Sequence, residues 1–191
     1  MKKVLLMLAD GFEEVEALTV VDYLRRSNII CDTCSIVNEK TVKGAHEIVV
    51  ESDLILDEMS DVHNYDGIIL PGGLPGSTNL RDDEGVIGIV KDFNEKGKLV
   101  AAICAAPIVL ERAGIINGKN VTSYPGLEGD LMGANYCEDL VVQDGNILTA
   151  RGPAAAVYFS LKIIEYLAGK ETAIEISKDI LLDMVEEKVE R

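Results

Sequence analysis

Short apolar runs alternate along this chain with amphipathic stretches, and that alternation limits the folds open to it. The run "KKVLLMLA" (residues 2–9) is continuous, as in a strand covered on both faces. "DGFEEVEALTVVDYLRRSN" then predicts a helix from about Glu13 to Arg26, with acids in its first turn and arginines in its last, matching the helix dipole. "IICDTCSIV", "HEIVVES" and "DGIILPGG" read as strands, and "EGVIGIVKDFNEKG" as a helix closed by Gly97. "KLVAAIC" is a strand and "APIVLERAG" a helix with Pro107 near its first turn. "KNVTSY" is a further candidate strand. "DLVVQDGNILTARG" carries a hairpin signal at Asp144-Gly145, and "AAAVYFSLKIIEYLAGK" a long helix closed by Gly169. Strands separated by helices imply an α/β protein with a mostly parallel sheet, helices on both faces and one small β-hairpin. With no repeat or linker in 191 residues, a single domain spanning 1–191 is expected.

Ligands of such open sheets bind beyond the C-terminal ends of the strands, at a switch in strand order. Residues just after strands are therefore the candidates. Cys104 stands where the strand "LVAAI" hands over to a helix, flanked two positions away by Ala102 and Ala106. A nucleophile elbow needs such small neighbours, and a following helix N-terminus favours thiolate. The plainer alternative is a buried structural cysteine. In "LPGGLPGSTN", Gly72 and Gly73 follow a strand and can aim N–H groups at an anion, although such residues also make ordinary turns. Glu13, Glu14 and Glu16 form the third candidate. The apolar stripe Ala17, Val20, Val21 and Leu24 centres near Glu13 and puts Glu16 on its margin, so the helical wheel does not choose among them. Three exposed acids is the alternative, expected to hold for at least one.

Charge and cysteine usage exclude several classes. A net charge of −15 repels phosphate backbones and anionic lipid, so neither nucleic acid nor membrane is an expected partner. No run reaches the length of a membrane span, and the first apolar run ends in an acidic stretch without a small-residue cleavage site. A cytoplasmic protein with reduced thiols is expected. Cys31 and Cys34 form a C-x-x-C, but residues three apart on a strand point to opposite faces, so neither a redox dithiol nor a zinc site follows. The acidic end "DMVEEKVER" reads as a solvated helix end.

"ADGFEEVEA", "LPGG", "AAICAAP" and "LTARGP" occur in the order and spacing of the ThiJ/PfpI superfamily. The chain most resembles the branch that includes the parkinsonism-linked protein deglycase and its bacterial relatives. The resemblance implies a flavodoxin-like α/β sandwich and a homodimer. By it, Cys104 matches the reactive cysteine and Glu16 a protonated acid bonded to the sulfur. Gly72, Gly73 and Ala105 match anion-binding donors, and Arg151 and Pro153 a loop at the pocket entrance. No cofactor and no metal enter this reading. Two positions depart from the branch. Tyr124 in "VTSYP" replaces a histidine, and a phenol with a pKa near ~10 cannot serve as base at neutral pH. His46 in "GAHEIVV" stands where relatives often carry an arginine that serves the neighbouring subunit, and is expected at the surface.

Two functions follow from the resemblance. One is a stress-response enzyme of glyoxalase or deglycase type, acting on small carbonyl substrates (2-oxoaldehydes) or their protein adducts. The other is a redox sensor or chaperone, acting through oxidation of Cys104 to sulfinate. A protease or amidase is disfavoured, because His46 and His63 both precede Cys104 and residue 105 is alanine.

Overall fold

Lys3–Leu8 form strand β1, whose side chains divide between two apolar layers. Val4, Leu6 and Leu8 enter one, Leu5 and Met7 the other. This is what a continuous apolar strand requires: both faces must be covered. The computed structural model describes residues 1–189. The remaining strands are β2 (Ile30–Ser35), β3 (Thr41–Lys43), β4 (Val49–Glu51), β5 (Leu54–Ile55), β6 (Gly67–Leu70), β7 (Leu99–Ile103), β8 (Asn120–Val121), β9 (Asn135–Tyr136), β10 (Val141–Asp144) and β11 (Ile147–Ala150). The helices are α1 (Glu14–Arg26), α2 (Gly76–Asp82), α3 (Glu84–Glu95), α4 (Pro107–Arg112), α5 (Ala156–Ala168), α6 (Lys170–Asp179) and α7 (Leu182–Val189). The solvated helix end read from "DMVEEKVER" is α7; Glu190 and Arg191 lie outside the described residues.

Seven strands form one sheet in the order β10-β11-β7-β6-β1-β2-β5, parallel except for the β10–β11 hairpin. The strands β2, β1, β6, β7 and β11 thus lie in the order 2-1-3-4-5, the flavodoxin-like arrangement, with its switch between β1 and β6. Helices α1, α5 and α6 cover one face, while α2, α3 and α4 cover the other. Small pairs β3–β4 and β8–β9 stand outside this sheet.

Helix ends follow local chemistry. The Asp83 carboxylate caps α3 by accepting the Val86 N–H, and Pro107 opens α4. Gly145 adopts a left-handed φ of 65°, but Asp144 pairs with Ile147, so Gly145 and Asn146 make the hairpin turn, one residue later than Asp144-Gly145. Cys31 and Cys34 enter opposite apolar layers, as the strand period requires.

Four departures from the sequence reading concern short or Gly- and Pro-rich segments. "TVK" is β3, which pairs with β4, so the segment "HEIVVES" is one arm of a hairpin. Leu54–Ile55 adds an edge strand to β2. Within "LPGGLPGSTN" helix α2 starts at Gly76, and α6 follows α5 directly after Gly169.

Candidate active site

Connections after β1, β6, β7 and β11 converge at one end of the sheet, and Cys104 sits in the middle of them. It has φ 64°, a left-handed conformation that an L side chain resists. Its backbone is held from both sides: its N–H donates to the Ala150 carbonyl and its carbonyl accepts from Tyr124 N–H, each at 2.8 Å. Neighbours Ala102 and Ala106 are fully buried, so there is no room for larger side chains at the turn.

Glu16 lies on the first turn of α1 and is wholly buried. Its Oε2 accepts the Gly72 N–H at 2.7 Å. Its Oε1 has no hydrogen-bond partner. The carboxyl and the cysteine lie on either side of Gly72: a Cβ there would fall 2.5 Å from Glu16 Oε2 and 2.6 Å from Cys104 Cβ. Glycine is required at 72 for that close approach.

Electrostatics couple the pair. Burial raises the Glu16 carboxyl to about 7 against the pull of the neighbouring Cys104 thiol and the Gly72 N–H, and Glu13 raises it further. Burial also pushes the Cys104 thiol up, and an ionised Glu16 adds to that, while Ala105 and Gly73 N–H groups pull it down. The pair therefore loses its protons in two steps, at about 7 and about 12, and carries a single negative charge between them. With the proton on Glu16, its orphaned oxygen becomes a donor beside a thiolate.

The Gly73 and Ala105 N–H groups act on the sulfur, but the Gly72 N–H does not: it is spent on Glu16. The cysteine opens into a cleft of ≈ 400 Å³. Tyr124 and Pro153 line it, together with Leu74, Pro125, Gly126 and Leu127, which the sequence reading did not single out. Their only signal was position, directly after the "PGG" and "SY" segments. Tyr124 rests on Gly152, where an added Cβ would meet the ring at 3.3 Å.

Two further residues named from the sequence stand outside the cleft lining. The Arg151 guanidinium donates to the Glu138 carbonyl at 2.7 Å, and that anchor holds it aside. His46 is exposed, as expected, yet it is tethered. Its N–H donates to Glu14 Oε1 at 2.7 Å, and its Nδ1 lies 2.8 Å from Glu14 Oε2 and 3.7 Å from Glu13 Oε2.

None of the three acids is an exposed surface group, against the expectation for at least one. Glu14 and Glu16 are buried, and the Glu13 side chain is only 15% exposed. The cause is tertiary: the β3–β4 hairpin closes over the start of α1, and Glu14 accepts N–H groups from it. Among the described residues Glu13, Glu14 and His46 are the one group of three metal-ligating side chains within 4.8 Å of one another. Glu14 there is already committed to hydrogen bonds.

An open parallel sheet with a left-handed cysteine over a buried carboxyl defines a flavodoxin-like α/β protein with a thiol-centred cleft. A family model described as "DJ-1/PfpI family" matches residues 2–166, and the chain belongs to that family. It is similar to Protein DJ-1alpha of Drosophila melanogaster, 40% identical over 94% of this chain and 84% of that protein. It is likewise similar to the Parkinson disease protein 7 homolog of Danio rerio, 35% identical over 95% and 97%. A solved structure titled "Toxoplasma gondii DJ-1, oxidized" superposes with a TM-score of 0.91 at 33% identity, covering 95% of this chain and 98% of that one. Among the described residues no helix is long and apolar enough to cross a membrane.

Proposed function

We propose that this chain is a cytoplasmic stress-response enzyme that converts 2-oxoaldehydes to 2-hydroxy acids through Cys104. The observation that carries the reading is the Glu16 carboxyl, buried beside the thiol with one oxygen on Gly72 N–H and the other unpartnered. A carboxyl that titrates near 7 can both give and take a proton at neutral pH.

In this reading the Cys104 thiolate attacks the aldehyde carbon of methylglyoxal. A C–S bond forms and the carbonyl oxygen takes the electron pair, facing the Gly73 and Ala105 N–H groups. Glu16 supplies the proton that makes the hemithioacetal. Its carboxylate then removes the hydrogen from that carbon to give an enediol, and the proton returns to the adjacent carbon. The product is a lactate thioester, which water cleaves to lactate and thiol. One carbon is oxidised and its neighbour reduced, so no outside oxidant or reductant is needed. Tyr124, at the cleft wall, donates a hydrogen bond to a substrate oxygen. Lactate formation from methylglyoxal by the wild type, Cys104→Ser and Glu16→Gln tests this. Turnover lost in both variants supports it; turnover surviving in Cys104→Ser ends it.

A second reading is supported by the oxidised state named for the Toxoplasma relative. Cys104 thiolate would reduce one peroxide to water and become sulfenate, and a second peroxide would carry it to sulfinate, held by the Glu16 proton. A mass gain of two oxygens on Cys104 but not on the buried Cys31 and Cys34 supports this reading.

The assembly we propose is a homodimer through α1 and the β3–β4 hairpin. Val15, Leu18, Ile48 and Val49 are all exposed there, and Glu14 ties the two elements together. Light scattering after size-exclusion chromatography should give twice the chain mass for the wild type and a single chain mass for Leu18→Arg.

A further inference from the structure

We propose that Glu13 acts as a charge filter on the Cys104 cleft. It admits uncharged small electrophiles and turns away anionic ones. The proposal rests on the reading of Cys104 as the nucleophile and adds what the cleft selects.

The observation is the polarity of the lining. Glu13 is the one acidic or basic side chain, among the described residues, that lines the cleft with Cys104. No lysine, arginine or histidine joins it there. Glu13 is not spent on capping: it sits at the N-cap of α1, yet its side chain accepts no cap hydrogen bond. The cations in the neighbourhood do not cancel this charge. His46 Nδ1 lies 2.8 Å from Glu14 Oε2 and 3.7 Å from Glu13 Oε2, so one imidazole faces two carboxylates and the trio stays net negative even with the ring protonated. Arg151 is anchored on the Glu138 carbonyl. A cavity that shares Leu74 and Ala105 with the cleft holds Arg81, but Arg81 makes two bonds to Asp82, and Glu111 and Asp130 lie along the same wall.

An incoming anion therefore meets a net negative charge at the cleft wall that no lysine, arginine or histidine lining the cleft offsets. It must also approach a thiol–carboxyl pair that already shares one negative charge. Methylglyoxal and hydrogen peroxide are neutral and are not opposed. A 2-oxo acid such as glyoxylate carries its own carboxylate and is. The accepted class is the uncharged carbonyl or peroxide.

Iodoacetamide and iodoacetate test this without reference to turnover. They share a leaving group and nearly a shape, and differ by one negative charge. Each is attacked by thiolate, a C–S bond forming as iodide leaves. Rates at Cys104 and at Cys137 are read by peptide mass spectrometry in the full chain. About 0.1 M salt screens charges beyond about 10 Å. The iodoacetamide-to-iodoacetate rate ratio at Cys104 should exceed that of an uncharged small thiol by about tenfold. Glu13→Gln, which keeps size and removes charge, should lower that ratio severalfold while leaving the Cys137 ratio unchanged.

A Cys104 ratio equal to that of the small thiol overturns the filter and leaves the nucleophile standing. A high ratio that Glu13→Gln does not lower assigns the repulsion elsewhere and overturns the role of Glu13. Failure of both reagents to modify Cys104 removes the nucleophile reading and the filter together.

Discussion

Glu16 Oε2 and the Gly72 N–H meet at 2.7 Å, and the other carboxyl oxygen is buried without a hydrogen-bond partner. A buried acid so placed has two stable options: to keep its proton, or to ionise at a cost in stability. Because burial has moved its titration from 4.5 to about 7, the native state binds a proton that the unfolded chain has released. The contribution is complete below pH 4.5 and is lost as pH rises through 7, by about 3 kcal/mol in all. Glu16→Gln abolishes the titration. Urea unfolding at stepped pH should show the variant gaining on the wild type across this window and overtaking it above. Parallel curves would show that Glu16 titrates as an ordinary carboxyl.

Gly72→Ala probes the same contact from the backbone. The added methyl must displace either the Glu16 carboxyl or the Cys104 side chain. Overpacking of this kind costs about 1–3 kcal/mol. Chemical denaturation should show that loss, and the rate of Cys104 alkylation by iodoacetamide should change with it. Unchanged stability and unchanged thiol reactivity together would mean that the two groups are not tightly juxtaposed.

His46 and Glu14 form a tether whose strength depends on pH. Burial works to raise Glu14, but its bonds to His46 and Ile48 hold it below the ordinary value. The Glu14 partner raises His46. The carboxylate contribution is present above its unfolded pKa and is lost as pH falls through the lowered native value. The imidazolium contribution is present below the unfolded pKa of 6.5 and is lost as pH rises through the raised one. His46→Ala should therefore lower the melting temperature most in mildly acidic buffer and least in alkaline buffer. A depression independent of pH would point to the backbone bonds alone.

Cys31 and Cys34 should not react in the native state. Both are buried, at 1% and 0% exposure, whereas Cys104 and Cys137 are part-exposed, so access to the reagent separates the two pairs. Ellman's reagent should modify Cys104 and Cys137 in native protein and all four cysteines after denaturation. Rapid native labelling of Cys31 or Cys34 would mean that the sheet opens locally.

The main strands and long helices were legible because each is patterned over its whole length. β1 is continuously apolar, and α1 and α5 keep a helical stripe. What escaped was short or locally misleading. In α2 the chain turns helical within "LPGGLPGSTN" because Ser77 and Leu80 have a core to enter, and no local propensity announces that. Helix α6 was hidden by Gly169, which ends one helix and starts the next. At the site, Cys104 was marked by its place after a strand and its small neighbours. The acids were not separable from sequence periodicity, since the wheel describes one helix and says nothing of the hairpin laid over its start. Arg151 and His46 point where they do because of single tertiary bonds, to a Glu138 carbonyl and a Glu14 carboxylate.

The N-cap and first turn of α1 carry three acids with three different neighbours: Glu13 on the cleft, Glu14 on the hairpin and Glu16 beside the thiol. Each residue advances a helix by about 100°. One residue added to or removed from the connection between β1 and α1 would rotate all three together, carrying Glu16 off Gly72 and Glu14 off the hairpin. The length of that connection, residues 9–13, is thus a fixed dimension of the molecule. It ties the spacing of the thiol site to the closure of the β3–β4 hairpin, so neither can shift without the other.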